Sequence, residues 1–354
     1  MTLTVLSVAY PLAPVGPDAV GGAEQVLTQL DQALVAMGHR SIVVAQEGSQ
    51  TAGTLVRVPA QTGLLDEAAK QRAWEEHRRA IAAALRRWPV DLVHMHGMDF
   101  HAYLPPPGVP VLVTLHVPVD WHPSEALLPA RPATWLHCVS QAQHETWPKS
   151  PHLLPPIENG VPVETLAARH AKRPFALSLG RICPEKGLHL AIEAAKRADI
   201  PLIIAGEIFG YEAHQRYFTE EVQPRLDARR RFVGPVGFAR KRRLLTAAQC
   251  LLVSSVVPET SSLVAREALA CGTPVVGFRK GALPETIEHG RTGFLVDTVE
   301  EMAESIPLAR DLDPDLCRSV ARQRFSLEAM TARYLELYER LANPDRSAAL
   351  AGAA

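Results

Sequence analysis

The chain has 354 residues, of which 47% are hydrophobic, and its formal net charge is -1. This length exceeds one ordinary hydrophobic core and predicts two domains, while the near-zero charge argues against nucleic acid as a partner. The five cysteines lie far apart without a C-x-x-C pair, so we expect neither a zinc site nor a disulfide framework, but a protein of the reducing cytoplasm. No apolar run reaches the roughly 18 to 20 residues that a membrane span needs.

Short apolar runs alternate with amphipathic stretches along the first half of the chain. The runs are continuously apolar, which is typical of parallel strands covered on both faces. We predict strands at 3–8, 41–45, 91–96, 109–116 and 134–140, with helices at 23–39 and 71–88. The first run lacks a basic segment before it and soon meets a proline, which favours a strand over a signal peptide.

The same alternation begins again after a polar, proline-bearing segment at 159–174, which we interpret as a linker. Here the predicted strands are 175–180, 201–206, 230–236, 250–255, 273–278 and 292–296, and the helices are 187–199, 239–249 and 263–272. We therefore predict an α/β protein of two Rossmann-like, doubly wound domains, 1–165 and 166–325, with ligands bound in the interdomain cleft. Residues 326–354 should form a long helix and a flexible tail.

Two basic residues follow a predicted strand in SLGRICPEKGLHLAIEAA, residues 178–195. Arg181 and Lys186 would lie at the carboxyl end of the strand and beside the start of a helix. A guanidinium, an ammonium and helix amides together favour an anion such as phosphate. The alternative is a surface loop with two solvated bases, and the spacing alone leaves both interpretations open.

Two glutamates separated by seven residues stand in PETSSLVAREALACGTPVV, residues 258–276. If a helix begins near Ser262, Glu259 precedes it and Glu267 lies about one turn inside. We expect Ser261 or Ser262 to cap the helix, whose first amides lack intrahelical acceptors. An acceptor, a group of free amides and a second acceptor suit the hydroxyls, diphosphate and ribose of a sugar nucleotide. Two ordinary surface glutamates remain the alternative.

The segment around these glutamates resembles the Glu-x7-Glu motif of the retaining family-4 glycosyltransferases, which have the GT-B fold. Further segments resemble the family in the same order along nearly the whole chain. These are GGAEQVLTQLDQAL, DLVHMHG, VTLHVP, ENGVPVE, LSLGRICPEKG and TGFLV. Each is weak by itself, but their order and spacing identify the chain as a member of that family.

The resemblance implies a role for each matching residue of the second domain. Arg181 and Lys186 would hold the donor diphosphate, together with the backbone amides of Leu263 and Val264. Glu267 would accept from the ribose hydroxyls, and Glu259 would bind hydroxyls of the transferred sugar.

In the first domain, Gly21 and Gly22 would let a loop approach the diphosphate, because a side chain there would obstruct it. His116 would face the donor sugar near its anomeric carbon. By the same resemblance, the helix after residue 326 crosses back onto the first domain.

The sequence departs from the family at two places near the site. Ser261–Ser262 stands where many members have Phe-Gly, and Ser254–Ser255 where Pro-Ser is usual. We expect neither departure to contact the two glutamates, although both affect the shape of the sugar pocket.

Other polar clusters carry weaker predictions. His94 alternates with His96 on a buried strand, so at most one can point towards a site; we favour a structural role for His94 and weigh His96 as a site candidate. The basic runs at 229–231 and 240–243 leave peripheral membrane contact open, but a solvated surface is favoured.

The resemblance implies transfer of a hexose from a nucleoside-diphosphate sugar, UDP- or GDP-linked, to a hydroxyl acceptor with retention of configuration. We expect no metal or cofactor, and an acceptor that is a saccharide, a lipid-linked molecule or a small molecule. A GT-B sugar-nucleotide epimerase and a non-catalytic sugar-nucleotide-binding protein remain alternatives. A dinucleotide-dependent oxidoreductase is disfavoured, since AYPLAPVGPDAVGGAE lacks the G-x-G-x-x-G fingerprint.

Overall fold

The computed structural model describes residues 2–147 and 150–343. These residues form two compact units. The first holds the described residues up to Glu158 together with those from Met330 onward, and the second is Asn159–Ala329. The predicted flexible tail is 343–354, and all of it after Asn343 lies outside the described residues.

The first unit is a seven-stranded parallel sheet with helices packed against its faces. Its strands are β1 (Thr4–Val8), β2 (Arg40–Gln46), β3 (Thr54–Val58), β4 (Leu92–Met95), β5 (Val111–Leu115), β6 (Thr134–Cys138) and β7 (Leu153–Leu154). They lie in the order β3-β2-β1-β4-β5-β6-β7. The helices are α1 (Gly22–Ala36), α2 (Glu67–Arg87), α3 (Ser124–Leu127) and α4 (Gln141–Glu145).

The second unit repeats this architecture with six parallel strands. They are β8 (Arg173–Leu179), β9 (Leu202–Ala205), β10 (Arg230–Phe232), β11 (Ala248–Val253), β12 (Val275–Phe278) and β13 (Gly293–Val296), in the order β10-β9-β8-β11-β12-β13. The helices are α5 (Val163–Leu166), α6 (Leu188–Arg197), α7 (Glu212–Tyr217), α8 (Phe238–Ala247), α9 (Leu263–Ala270), α10 (Leu283–Thr286), α11 (Val299–Leu308) and α12 (Pro314–Arg324).

The last helix, α13 (Leu327–Ala342), begins at the end of the second unit, and its residues from Met330 onward belong to the first. Its buried face includes Tyr334 and Tyr338, whose rings pack beside His94 of β4. The helix is thereby held by the core of the first unit. No helix within the described part of the chain has the length and hydrophobicity to cross a bilayer.

Every strand predicted from the apolar runs is present in the structure. The central strands are wholly buried, as in β1 and β5, because helices cover both faces of the sheets. Local signals fix several helix starts: the carboxylate of Asp66 accepts from the amide of Ala69 at α2, and Thr298 caps α11 through the amide of Glu301. This arrangement brings the carboxyl ends of neighbouring strands to one edge of each sheet, where their loops carry the predicted site residues.

Candidate active site

The loop that carries Arg181 and Lys186 is tied to the end of a neighbouring strand. It leaves β8, passes through a 3-10 turn at Pro184–Lys186 and enters α6. The hydroxyl of Ser254, after β11, donates to the carbonyl oxygen of Lys186 at 3.0 Å. Gly187 has φ +57°, and a Cβ there would lie 2.3 Å from the carbonyl oxygen of Ser254, so this contact requires glycine. The backbone of Lys186 and Gly187 is thus held close to Ser254.

Lys186, which is partly exposed, forms an ion pair with Glu259 in the second unit. Its Nζ lies 2.6 Å from Glu259 Oε1, and the hydroxyl of Ser255 donates to the same oxygen. Glu259 is 9% exposed. Burial by itself would raise the pKa of Glu259, but Lys186, Ser255 and Arg181 outweigh it and lower that pKa, so the carboxyl is held ionised.

The contact between Ser255 and Glu259 corrects one expectation from the sequence. We expected neither departure from the family pattern to touch the glutamates, yet the Ser255 hydroxyl is a hydrogen-bond donor to one of them. It lies at the carboxyl end of β11, one residue beyond the Ser254 hydroxyl that holds the Lys186 loop. Both serines of this pair therefore position the ionic site.

Arg181 also stands at the carboxyl end of β8, and its charge contributes to the lowered pKa of Glu259. Within the described residues, its guanidinium forms no ion pair with a carboxylate. A guanidinium without a carboxylate partner is available to bind phosphate oxygens in a bidentate manner.

Helix α9 begins at Leu263, as the sequence predicts, but its start is not capped as predicted. Ser262 occupies the N-cap position in the left-handed conformation, with φ 52°, and makes no side-chain cap bond. The hydroxyl oxygens of Ser261 and Ser262 are buried without a hydrogen-bond partner among the described residues. The first amides of the helix, those of Leu263 and Val264, lack intrahelical acceptors. The helix start therefore offers unpaired donors.

Glu267 lies one turn inside α9, where it is 4% exposed. The sequence did not predict its ion-pair partner, which is Lys241. Lys241 Nζ, from α8, lies 2.5 Å from Glu267 Oε1, and the lysine side chain is 16% exposed. We had assigned the basic run at 240–243 to a solvated surface; for Lys241 that prediction is wrong. No local signal distinguishes it from its basic neighbours, since the partner is 26 residues away.

The remaining predicted site residues belong to the first unit. Gly21 and Gly22 follow the β1 loop at the start of α1, where the N-cap Gly21 has no side chain to cap the helix. A Cβ on Gly21 would lie 1.9 Å from a carboxylate oxygen of Glu24, the movable end of a side chain. His116 directly follows β5, which is separated from β1 by β4. All three residues thus lie at the carboxyl edge of one sheet.

His116 is partly exposed and contacts a pair of buried histidines, His96 and His94. Its Nε2 lies 3.1 Å from Nδ1 of His96, and Nε2 of His96 lies 3.1 Å from Nδ1 of His94. His94 also contacts Tyr338 Oη through Nδ1 and Thr114 Oγ1 through Nε2, each at 2.7 Å. Both nitrogens of His94 are therefore in structural contacts, which confirms its predicted structural role. His96 links it to His116, and the rings of His94 and His96 lie against each other on one face of β4, so the prediction that at most one of them could point towards a site is wrong.

Burial keeps these histidines neutral. Burial, with His137 and His122 nearby, lowers the pKa of His116 to about 3. The pKa values of His94 and His96 are also well below the usual range, chiefly because of burial. A neutral imidazole at His116 can accept or donate a hydrogen bond but carries no charge to a ligand.

One group of side chains in the described residues has the composition and spacing of metal ligands. The ligand atoms of Cys183, Glu185 and His214 lie within 4.8 Å of one another. Burial raises the pKa of the Cys183 thiol to about 11, so the thiolate that would bind a metal is disfavoured. The thiol also donates to the carbonyl oxygen of Arg181 at 3.8 Å, so it has a partner without an ion. We assign no chemistry to this group.

Two family models match adjoining parts of the chain. The model of Glycosyltransferase Family 4 matches residues 20–164, and the model of Glycosyl transferases group 1 matches residues 167–322. The first range includes Gly21, Gly22 and His116, and the second includes both glutamates and both cations.

Curated proteins and solved structures agree with these matches. A D-inositol 3-phosphate glycosyltransferase of Corynebacterium efficiens is 34% identical over 169 residues, covering 46% of this chain and 38% of that protein. Sucrose-phosphate synthase of Thermosynechococcus elongatus is similar in structure, with a TM-score of 0.78, 21% identity, and coverage of 96% of this chain and 99% of that one. The Anabaena protein HepE, in complex with UDP and glucose, has a TM-score of 0.74, 19% identity, and coverage of 95% and 99%. The matched stretches span less than half the length of the curated relatives.

Proposed function

Because the chain belongs to the family-4 glycosyltransferases of group 1, we propose that it transfers a hexose from a nucleoside-diphosphate sugar to a hydroxyl group, with retention of the anomeric configuration. The predicted GT-B fold, built from two parallel α/β units, is confirmed. A UDP- or GDP-sugar is the donor that we propose, and the complex of HepE with UDP and glucose supports the nucleoside diphosphate part.

The observation that carries this proposal is the ion pair between the buried Glu259 and the partly exposed Lys186, whose side chains are 8% and 28% exposed. Burying the charge of Glu259 is unfavourable unless a partner or a ligand compensates it, and an ion pair of this kind is weak evidence for stability alone. Here Arg181 lies near enough to lower the pKa of Glu259, and the unpaired amides at the start of α9 follow that glutamate closely in sequence. A carboxylate for sugar hydroxyls next to cations for a diphosphate is the arrangement that a donor sugar nucleotide needs.

Each charged group has a distinct task in the proposed reaction. Lys186 has three N–H donors, of which one is engaged by Glu259 and two remain for phosphate oxygens. As the bond between the anomeric carbon and the diphosphate oxygen breaks, negative charge grows on the diphosphate. Arg181, Lys186 and the amides of Leu263 and Val264 would stabilise that charge more strongly than they stabilise the ground state.

Retention follows in the proposal from attack on the same face of the sugar. The acceptor hydroxyl oxygen forms the new bond to the anomeric carbon, and its proton passes to the departing phosphate oxygen. Glu259 would orient the sugar through its hydroxyls and Glu267 the ribose. From the motif resemblance we also assign Gly21 and Gly22 to the diphosphate and His116, as a neutral hydrogen-bonding group, to the transferred sugar.

Substitution of the ion pair tests the proposal. We expect Glu259→Ala and Lys186→Ala each to lower the rate of transfer by about 10²-fold or more, because each removes an orienting or charge-stabilising contact. The exposed Glu304→Ala and Lys196→Ala remove the same charges elsewhere in this unit and serve as matched controls. The donor is first chosen by the rise in melting temperature with UDP-, GDP-, ADP- and TDP-sugars.

Three results would contradict parts of the proposed function. Unchanged transfer in both site variants would remove the assignment of the ion pair. The anomeric configuration of the product, read by NMR, would remove the retaining mechanism if it were inverted, and an epimerised nucleotide sugar formed without an acceptor would favour the epimerase instead.

A further inference from the structure

A cavity opens in the second unit, at the other end of β8 from Arg181 and Lys186. Its volume is about 760 Å³. It lies against β8, β9, β10 and α8, and four arginines contribute to its wall: Arg173, Arg229, Arg231 and Arg243. The size falls within the range of sites for small molecules, roughly 300 to 1,000 Å³.

The cavity lies towards the amino end of β8, whereas the donor-site residues follow its carboxyl end. Arg173 is the first residue of β8, and Arg181 comes just after its last. Strands rise by roughly 3.3 Å per residue, so the two arginines stand about 20 Å apart along the strand. A ligand in this cavity would therefore not overlap with the proposed diphosphate contacts.

The charged side chains in the cavity wall are all positive. Arg229 is paired with Asp199, but the guanidinium groups of Arg173, Arg231 and Arg243 have no ion pair or side-chain hydrogen bond with any described residue. No carboxylate is among the lining residues that the structure describes. Like charges held around one concavity repel each other, and an anion bound between them would offset that repulsion.

The floor of the cavity is apolar. Phe175 of β8, Ile203 of β9, and Leu244 and Ala247 of α8 line it, and all four are only half-buried. Side chains of this kind on a sheet face are usually covered by a helix, as they are elsewhere in this unit. A simple inorganic anion would satisfy the arginines but leave this apolar surface in contact with water.

From the cationic wall and the apolar floor together, we propose that the cavity is a second ligand site, for a phosphorylated amphiphile. The phosphate would be bound by Arg173, Arg231 and Arg243, and the apolar part of the molecule would lie on Phe175, Ile203 and Leu244. The concave shape favours one bound molecule over a flat contact with a membrane. Such a site would let a lipid phosphate bind this unit independently of the donor.

Titration calorimetry with short-chain lipids tests both halves of the proposal. The ligands are dihexanoyl phosphatidate, dihexanoyl phosphatidylcholine and inorganic pyrophosphate, each kept monomeric. We expect saturable binding of one phosphatidate per chain, and binding at least about tenfold weaker for the other two, because one lacks the net negative charge and the other the apolar part.

Matched double variants locate the site. Arg231→Gln with Arg243→Gln should weaken phosphatidate binding by about tenfold or more, whereas Arg240→Gln with Arg310→Gln removes two exposed charges outside the cavity and should leave it unchanged. All four positions are exposed, so thermal melts of the variants should match that of the parent chain.

Several results would overturn the proposal. These are no binding of phosphatidate, equal affinity for pyrophosphate and phosphatidate, equal loss of binding in both double variants, or displacement of phosphatidate by UDP. Binding to phosphatidylglycerol vesicles without binding of monomeric phosphatidate would replace the cavity with a membrane-facing surface.

Discussion

Lys241 shows how a single residue can belong to a site without any local sign of it. It stands in a run of four basic residues on α8, whose neighbours at 240 and 243 are exposed. Its side chain points inward to Glu267, and the ion pair is largely shielded from solvent, with 16% of the lysine and 5% of the glutamate side chain exposed. Removing one partner of such a pair leaves the other charge buried without compensation.

At this scale we predict that Lys241→Met impairs donor binding. The Glu267 carboxylate would lose the cation that holds it in place as the proposed acceptor for the ribose hydroxyls, so KM for the donor should rise by about tenfold while kcat changes little. Steady-state kinetics with varied donor concentration measure the two separately. Arg240→Met, on the exposed side of the same helix, is the control. A fall in kcat at constant KM would contradict the role that we give to Glu267.

At the scale of elements, a short loop holds Lys186 in place. The turn before α6 is fastened to the end of β11 by the Ser254 hydroxyl and by the amide of Val256, which donates to the carbonyl oxygen of Glu185 at 2.9 Å. Gly187 makes this approach possible because its left-handed backbone leaves no Cβ against Ser254. Two segments 68 residues apart in sequence, measured from Lys186 to Ser254, are thereby joined at the site.

Gly187→Ala should break this junction. The new Cβ would meet a backbone oxygen at 2.3 Å in a backbone region that disfavours alanine, so the loop must move and carry Lys186 with it. We expect transfer to fall by about tenfold or more, with a loss of stability greater than the ~1 to 3 kcal/mol that conformational strain alone costs. Urea unfolding and transfer assays measure the two effects.

Gly290→Ala is the control that distinguishes backbone strain from the steric clash with Ser254. Gly290 has φ +77°, and a Cβ added there would have nothing within 4 Å, so its replacement introduces the strain without the clash. Equal losses of stability in the two variants, with transfer unaffected in both, would show that the close approach at Gly187 does not hold the loop.

The sequence predicts helices and strands wherever burial imposes a clear pattern of apolar residues. All central strands follow from continuous apolar runs such as those of β1 and β11. β3 was missed because it is an edge strand, with mixed exposure and an arginine within it, and β7 because two residues carry no period. The segment at 159–174 was interpreted as a linker, yet it contains α5, whose buried Val163 and Leu166 pack too briefly to show a helical period.

The sequence predicts which residues belong to the candidate site, because their types and their order along the chain match the motifs, but it does not predict which side chains pair with each other. The Glu-x7-Glu spacing and the two cations mark a candidate site, but the pairing of Lys186 with Glu259 joins residues 73 apart, and that of Lys241 with Glu267 joins residues 26 apart. Such partners are set by the order of strands in the sheet. The failed cap at Ser262 has a similar origin, since its left-handed backbone is imposed by the loop and not by serine itself.

The stability of the whole molecule should depend on the buried histidines of its first unit. His94, His96 and His137 are at most 1% exposed, and His137 joins the network through Thr114 Oγ1 at 2.7 Å from its Nε2. Burial lowers the pKa of His137 to about 4. In the unfolded chain a histidine has a pKa near 6.5, so the unfolded state binds protons that the folded state does not.

The sign of the effect follows from that difference. Between pH 6.5 and pH 4 the unfolded chain binds more protons, so the free energy of unfolding falls as the pH is lowered through this range. Above about pH 7 both states are neutral and no stability is lost. For one histidine with a folded pKa near 4, the loss between pH 7 and pH 5 is about 2 kcal/mol, and the other buried members of the network add to it.

Urea unfolding at pH 7 and pH 5 measures this loss, with His137→Gln as the diagnostic variant. Glutamine can still hydrogen-bond Thr114 but does not titrate, so the variant should be less stable than the parent chain at pH 7 yet lose about 2 kcal/mol less on acidification. His101→Gln removes an exposed imidazole of the same unit and is the matched control. If His137→Gln keeps the full pH dependence of the parent, the buried network is not the source of acid sensitivity, because removing a group that titrates only in the unfolded chain must reduce the proton uptake on unfolding.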